Sequence, residues 1–220
     1  SGSQIVPRAL IEAFHARGVP VAQVDGGTET GPVSIVLRPN QALANVGRVG
    51  WPAQGVRVKL AADGEVLLQA PNLLRAYHRG VPPAFDDQGW FHTGDLAEQG
   101  ADGGFTIVGR SKELIISGGE NIHPAEIEEL VALVPGVAEC SVVGMADERW
   151  GEVPVLVVVP AAGAAPDEAT LRAAFEGRIA RFKRPRRIVF AEALPKTALG
   201  KVRREALVES LLRLPPPAAG

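Results

Sequence analysis

The sequence is poor in cysteine, in aromatic residues and in long apolar runs. Its single cysteine, Cys140, excludes an internal disulfide and favours a reducing, cytoplasmic setting. No apolar run approaches about 20 residues, so no membrane span is predicted. Residues 1–20 lack the charged-then-apolar pattern of a secretory leader. The net charge of −2 gives no general reason to expect binding to nucleic acid or to an anionic membrane.

The chain is instead rich in apolar residues, glycine and proline. Hydrophobic residues make up 46% of its 220 residues, enough for one large or two small domains. The 25 glycines and 18 prolines predict many loops and short elements. Cys140 lies within an apolar run, residues 138–143, which predicts a buried small hydrophobe rather than a nucleophile.

The stretch at residues 103–129 is the most informative. It predicts a strand ending at Gly109-Arg110, a second short strand at residues 114–116, and a glycine loop at Ser117-Gly118-Gly119. Pro124 suits the first turn of a following helix. The acidic residues of that helix are predicted to lie largely on the face opposite the core: Glu126, Glu128 and Glu129.

Upstream, the pattern predicts a helix before Gly18 and a short buried strand at residues 19–24. This strand would deliver a glycine-rich, hydroxyl- and carboxylate-bearing loop at residues 25–31, the layout of an α/β ligand site. An ordinary turn is the alternative. Residues 46–70 are predicted to be all-β, with a hairpin turn at Asp63-Gly64.

Asp95 follows a glycine and is predicted to lie at a strand end. A carboxylate there is suited to accepting two hydrogen bonds from a vicinal diol such as a ribose. A turn aspartate that caps its own backbone is the alternative.

Downstream, strands are predicted at residues 138–145, 154–159 and 188–190. Asp167 is predicted to cap a helix whose apolar face includes Leu171, Ala174, Phe175 and Ile179. A final helix at residues 202–214 would turn Leu207, Leu211 and Leu214 inward, before a disordered proline-rich tail.

Four short motifs follow one another along the chain. They are Gly26-Gly27-Thr28-Glu29, Phe91-His92-Thr93-Gly94-Asp95, Gly109-Arg110-Ser111-Lys112 and Pro195-Lys196-Thr197-x-x-Gly200-Lys201. In order and spacing they resemble motifs of the adenylate-forming enzymes, and the chain resembles the acyl-CoA synthetase branch of that superfamily. The first two resemble its nucleotide loop and its ribose motif, and the other two resemble its hinge and its terminal lysine motif.

The resemblance implies a mixed α/β and α+β fold in two parts. Residues 1–109 would be the C-terminal part of the large AMP-binding domain, including a small β-barrel-like portion. Residues 110–220 would be a complete, small, mobile α+β domain with a hairpin, a sheet of about three strands and packed helices. Its hinge would lie near Lys112.

The resemblance also implies a reaction and a role for each motif. ATP and a carboxylic acid give an acyl-adenylate, and coenzyme A then displaces AMP. Lys201 would neutralise charge at the α-phosphate, Thr28 would contact phosphate, and Glu29 would hold Mg²⁺. Asp95, helped by Arg110, would bind the ribose. Rotation about Lys112 would then replace Lys201 by the loop that meets the pantetheine arm, Gly118-Gly119-Glu120.

Two departures from the family's pattern matter. Asp25 stands where the family has an aromatic residue that stacks on adenine, so adenine binding is an open question. The family's Ser/Thr/Gly-rich phosphate loop does not occur in these 220 residues, nor does most of the large domain. The chain is therefore expected to be a C-terminal fragment with little or no ligase activity alone.

The sequence thus predicts part of an ATP-dependent acyl-CoA synthetase acting on a fatty or aryl acid. The alternative is a non-catalytic binding or scaffolding module that keeps the fold. A basic cluster at residues 178–187 is expected to be a solvated face, with docking of coenzyme A phosphates as the second interpretation. It lacks interleaved aromatics and overall basicity, which disfavours nucleic-acid binding. Whether the chain forms a homodimer is left open.

Overall fold

The computed structural model describes residues 6, 8–164 and 166–213. The chain divides into two compact units, Ser1–Lys112 and Glu113–Gly220. The boundary predicted from the sequence, after residue 109, lies just before this division. None of the helices in the described ranges is long and apolar enough to span a membrane.

The first unit is built from antiparallel strands. Helix α1 (Arg8–His15) precedes strands β1 (Gln23–Gly27) and β2 (Gly31–Leu37), and helix α2 (Pro39–Ala42) precedes β3 (Trp51–Pro52). These strands form one sheet in the order β1-β2-β3. A second sheet has the order β4-β5-β6-β7, with bounds Arg57–Leu60, Glu65–Gln69, Phe91–Gln99 and Phe105–Arg110.

The two sheets of the first unit are joined at Gly50, which bridges to Phe105 through backbone hydrogen bonds. Gly50 has φ +103°, and a Cβ there would clash with the backbone of Val36, so glycine is required for this close approach. Apolar residues of both sheets share one core, which accounts for the predicted barrel-like portion: Ile35, Val66, Leu68, Ala97 and Phe105.

The strand predicted at residues 19–24 is wrong over most of its length, because β1 begins only at Gln23. The preceding backbone donors are already used by the end of α1. Val19 N–H donates to the Phe14 carbonyl, Pro20 has no N–H, and Val21 N–H donates to His15 Nε2. The loop that follows β1 is the turn of the antiparallel β1–β2 hairpin, and not a loop at the carboxyl end of a parallel strand.

Across its described residues, the second unit contains one five-stranded sheet and three α-helices. Its elements are β8 (Ile115–Ser117), β9 (Glu120–Ile122), α3 (Pro124–Val131), β10 (Val137–Asp147), β11 (Gly151–Pro160), α4 (Glu168–Ala173), β12 (Arg187–Phe190) and α5 (Arg204–Leu212). The strand order is β10-β11-β8-β9, and β12 pairs in parallel with β11.

Strand β11 is the centre of the second unit because helices cover both of its faces. Leu156 and Val158 pack in one cluster with Ile127 of α3 and Leu171 of α4. The alternate residues of β11 pack with the residues of α5 in a second cluster: Val155, Val157 and Val159 with Leu207 and Leu211. Burial on both faces explains why this strand is apolar almost throughout.

Two predicted helices are shorter than expected. Asp167 does cap α4, since its Oδ1 accepts from Thr170 N at 2.7 Å, but the helix ends at Ala173 while Phe175 remains in the core. Helix α5 begins at Arg204 because Val202 instead pairs with Lys196 in a β-bridge. Leu214 and the tail at residues 215–220 lie outside the described residues.

The expected solvent-facing position of Glu128 on α3 is wrong. Its carboxylate turns to β10, where Oε1 accepts from Val142 N at 2.8 Å and from Ser141 Oγ at 3.2 Å. The Arg204 guanidinium donates to both oxygens of the same carboxylate, at 2.8 and 3.0 Å. A backbone donor and a guanidinium together hold this acid against the sheet.

Candidate functional site

In the first unit, the Gly26-Gly27-Thr28-Glu29 segment forms the tip of the β1–β2 hairpin. Thr30 fixes the turn, because its buried Oγ1 accepts from Gly27 N at 2.9 Å. Asn72 Nδ2 donates to the Thr30 carbonyl at 3.0 Å from the other side. The side chain of Thr28 is left exposed.

Glu29 is held by the segment after β5. Its carbonyl accepts from Leu74 N at 2.7 Å, and its carboxylate Oε1 accepts from the Tyr77 hydroxyl at 3.3 Å. Burial, and then the neighbouring Glu29 charge, raise the pKa of Tyr77, so this hydroxyl stays a donor.

The carboxylate of Glu29 is suited to supply one oxygen ligand to Mg²⁺. Among the described residues, His, Cys, Asp and Glu side chains form no cluster of three able to hold a metal ion. A protein site for Mg²⁺ commonly offers one or two carboxylates, and substrate phosphates and water complete the coordination. Glu29 suits that arrangement.

Asp95 and Arg110 lie directly opposite each other on β6 and β7. Arg110 Nε donates to Asp95 Oδ1 at 2.6 Å and Nη2 donates to Oδ2 at 3.3 Å. The Asp95 side chain is 17% exposed, whereas that of Arg110 is 59% exposed. The predicted position at a strand end is wrong, because β6 continues to Gln99. The pairing orients the carboxylate from the neighbouring strand instead of a turn.

Glu65, which no sequence motif singled out, fixes the Thr-Gly-Asp segment. Its Oε1 accepts from Gly94 N at 2.8 Å, and its Oε2 lies 2.7 Å from His92 Nδ1. Thr93 Oγ1 donates to the Val66 carbonyl at 2.8 Å, so β5 contacts three successive residues before Asp95. The available signal was a carboxylate entering an otherwise apolar strand, Glu65-Val66-Leu67-Leu68.

Asp25 lies in β1, directly before the glycines of the hairpin turn. Burial, reinforced by the charge of Asp95, raises the pKa of Asp25 to about 6, although Arg110 and the Gly26 N–H act in the opposite direction. The ionisation of Asp25 is therefore sensitive to the charges of the pair formed by Asp95 and Arg110.

Asp25→Asn is expected to flatten the pH dependence of stability between about pH 4 and pH 6. The folded-state pKa lies above the ordinary value, so the folded chain binds the extra proton in this window and loses stability as pH rises. Above pH 6 the variant should be more stable by about 1–2 kcal/mol, after allowance for partial exposure. Urea unfolding at pH 4, 5, 6 and 7.5 measures this. Parallel curves for variant and wild type would contradict it.

In the second unit, Lys201 closes a tight turn. Thr197 N donates to the Lys201 carbonyl at 2.8 Å, and Lys201 N donates to Thr197 Oγ1 at 3.2 Å. These bonds fix the backbone while the Lys201 side chain is exposed. Lys196, in the same turn, pairs instead with Glu139 at 2.6 Å.

The Gly118-Gly119 turn connects β8 to β9, with φ of +61° and +86° at its two central residues. Two positive φ values are those of the hairpin turn that glycine favours. Both glycines and Glu120 are exposed, and Gly118 N donates to the Trp150 carbonyl at 2.8 Å. The loop is thus presented to solvent but attached to the β10–β11 turn.

Arg204 is a second residue that no sequence motif singled out. Besides Glu128, it pairs with Glu113 at 3.0 Å. Glu113 directly follows Lys112 in the sequence, and Arg204, the first residue of α5, comes shortly after Lys201. No local pattern signals this three-residue network, because its members are distant in sequence.

The basic cluster at residues 178–187 is not simply a solvated face. Lys183 pairs with Glu126 at 2.6 Å, while other members of the cluster line a pocket of about 500 Å³. The expected lack of aromatics is also wrong, because Phe182 lies within the cluster and Trp150 reaches it from the β10–β11 turn. The pocket lining is Trp150, Arg172, Arg181, Phe182, Arg184, Pro185 and Arg186.

Cys140 is half-buried, and its Sγ lies 3.5 Å from the Glu128 carbonyl. Burial, and then the charges of Glu128 and Glu139, raise the pKa of its thiol to about 12. The thiol stays protonated, as expected for a packing residue.

The chain is similar to known proteins over almost its whole length. Residues 126–201 match the family described as AMP-binding enzyme C-terminal domain. Indoleacetate–CoA ligase of Aromatoleum aromaticum is 45% identical over 97% of the chain and 44% of its own length. The chain spans less than half the length of the curated relatives it matches.

Solved structures agree. The o-succinylbenzoate CoA synthetase of Bacillus subtilis, in complex with its acyl-adenylate intermediate, superposes with a TM-score of 0.86 at 30% identity, over 98% of this chain and 45% of that one. The same enzyme with ATP and a magnesium ion gives 0.85 at 31% identity, over 94% and 45%. These matches confirm the predicted resemblance and the mixed fold class. Over nearly its whole length the chain thus matches part of the acyl-CoA ligases of the adenylate-forming superfamily, and residues 126–201 match the C-terminal domain of AMP-binding enzymes.

Proposed function

We propose that this chain is the C-terminal portion of an ATP-dependent ligase that activates a carboxylic acid as its adenylate and transfers it to coenzyme A. The observation that carries the proposal is the ion pair of Asp95 and Arg110 in the first unit, at 2.6 Å, together with the hairpin turn that bears Thr28 and Glu29. The charge of Asp95 contributes to the raised pKa of Asp25, which directly precedes that turn. A carboxylate for a diol and a turn for phosphates are the two halves of a nucleotide site.

In this proposal residues 1–109 complete the large AMP-binding domain and hold the nucleotide. Asp95 accepts hydrogen bonds from the ribose hydroxyls, and Arg110 orients its carboxylate. The Gly26-Gly27 backbone approaches the nucleotide, and Thr28 donates its hydroxyl to phosphate. Glu29 would hold Mg²⁺, which neutralises phosphate charge when bound.

Residues 110–220 supply the cation and the thiol contacts. Lys201, exposed on its fixed turn, balances the negative charge that develops as the acid attacks the α-phosphate. Lys112 lies at the division between the two units. It is the pivot of a rotation that removes Lys201 from the nucleotide and so allows thioester formation. Gly118, Gly119 and Glu120 then meet the pantetheine arm of coenzyme A.

The basic pocket of the second unit suits the nucleotide end of coenzyme A. Four arginines supply cations for the phosphates, and Trp150 and Phe182 supply flat apolar surfaces for a purine. Phe182 is 45% exposed, which leaves its ring available to a ligand.

The acid is proposed to be aromatic. Indoleacetate and o-succinylbenzoate, the acids named for the relatives above, both carry an aromatic ring.

The proposal is tested by joining the upstream portion of indoleacetate–CoA ligase to residue 1 of this chain, to give what we call the joined protein. It should release pyrophosphate with ATP, an aryl acid and coenzyme A, and convert aryl acids faster than fatty acids. The 220-residue chain alone should show little or no release. Robust turnover by the chain alone, or an inactive but folded joined protein, would contradict the proposal.

A further inference from the structure

We propose that Trp150 is a positioning residue that couples the basic pocket to the Gly118–Glu120 loop, so that a nucleotide in the pocket sets the conformation of the loop. The inference rests on the proposed function in one respect, namely that the pocket takes the nucleotide end of coenzyme A. Binding of the nucleotide in the pocket would then change the conformation of the loop before the thiol of coenzyme A reaches it.

The contact between the loop and Trp150 involves both backbone and side chain. Gly118 N donates to the Trp150 carbonyl at 2.8 Å, and Ser117 pairs with Gly151, the next residue along β11. A Cβ on Gly118 would lie 2.8 Å from Trp150 Cε3 and 3.1 Å from Cζ3. The indole therefore occupies the space where any other residue at position 118 would place its side chain.

The same indole forms a wall of the basic pocket. The guanidinium carbons of Arg149 and Arg186 lie 4.9 and 5.6 Å from its ring, and Arg186 also lines the pocket with Arg184. A purine bound against the indole, or phosphates that draw Arg186 away from it, would change the position of the ring. Because the ring packs on Gly118 without spare room, such a change is passed directly to the loop.

The chain offers a matched pair for testing this contact. Gly118 and Gly119 both have positive φ, so alanine strains the backbone at either position. Only at Gly118 does the added Cβ meet Trp150, because a Cβ at Gly119 has no heavy atom within 4 Å. A difference between the two variants therefore reports the indole contact and not turn strain.

The experiment titrates the 220-residue chain with adenosine 3′,5′-bisphosphate, which lacks the pantetheine arm and so cannot itself extend along the loop. Backbone amide NMR should show shifts at Gly118, Gly119 and Glu120 as the pocket fills. Fluorotryptophan labelling should show a shift of the Trp150 line, assigned with Trp150→Phe. Gly118→Ala should weaken binding about five- to tenfold, the scale of one aromatic–base stack, and Gly119→Ala less than twofold.

The outcomes separate the two proposals. If the wild-type chain binds the nucleotide but the loop amides do not shift, or if the two alanine variants bind equally, the coupling through Trp150 is wrong and the pocket assignment stands. If the wild-type chain does not bind the nucleotide, the pocket assignment in the proposed function is wrong, and the coupling falls with it. The wild-type amide shifts decide the matter even if Gly118→Ala fails to fold.

Discussion

Lys201→Ala in the joined protein should slow acyl-adenylate formation about 10²- to 10³-fold, the usual cost of removing one group that stabilises transition-state charge. The tight turn between Thr197 and Lys201 holds the backbone, so the substitution should remove the ammonium group and leave the fold intact. Pyrophosphate exchange into ATP measures this step. Thioester formation from acyl-adenylate added directly should change less than threefold, because Lys201 has no role in that step.

Lys196→Ala is the matched control for this prediction. Lys196 lies in the same turn, but it pairs with Glu139 at 2.6 Å, and its loss should leave both half-reactions within about twofold. Equal effects of the two substitutions would indicate a structural role for the turn. An unaffected adenylation rate in Lys201→Ala would favour the non-catalytic module.

Asp95→Asn should raise the KM for ATP about 10- to 100-fold, because hydrogen bonds to a charged carboxylate contribute about 1.5–3 kcal/mol. The amide keeps the size of the side chain but loses one acceptor oxygen and the charge that pairs with Arg110. The variant should also lose the preference for ATP over its 2′,3′-dideoxy analogue. Steady-state kinetics of the joined protein with both nucleotides measures this preference.

Asp102→Asn is the matched control for Asp95, because Asp102 makes a comparable pair with Arg48, at 2.6 Å, in the same unit. Arg48 lowers the pKa of Asp102, yet this pair lies outside the proposed site. The control should leave KM for both nucleotides within about twofold. The ribose assignment would be wrong if Asp95→Asn retained full discrimination between the two nucleotides.

How far the sequence could predict the fold depends on how local the determining contacts are. Val153–Val159 is apolar without interruption, so a buried strand could be predicted, and the cap at Asp167 depends on an N–H three residues away. The strand expected at residues 19–24 failed because His15 and the end of α1 use the backbone donors. That competition is invisible to a pattern of alternating residues.

The candidate site shows the same difference between local and distant determinants. The motifs identified Asp95, Glu29 and Lys201 as candidate residues, but not the groups that orient them. Glu65 reaches Gly94 across a strand pair, and Arg204 joins Glu113 to Glu128 across the second unit. Side-chain partners this distant in sequence are fixed by the fold, so no spacing rule could have found them.

Affinity labelling of the joined protein with adenosine 5′-fluorosulfonylbenzoate tests the central claim most directly, because this reagent places a lysine-reactive group where the phosphates of ATP bind. Peptide mass spectrometry should find Lys201 modified and protected by ATP with Mg²⁺. Lys196 should be modified slowly and without protection, since Glu139 holds it. Modification of Lys201 that ATP does not suppress, or no modification there while other lysines react, would contradict the assignment of Lys201 to the adenylation step.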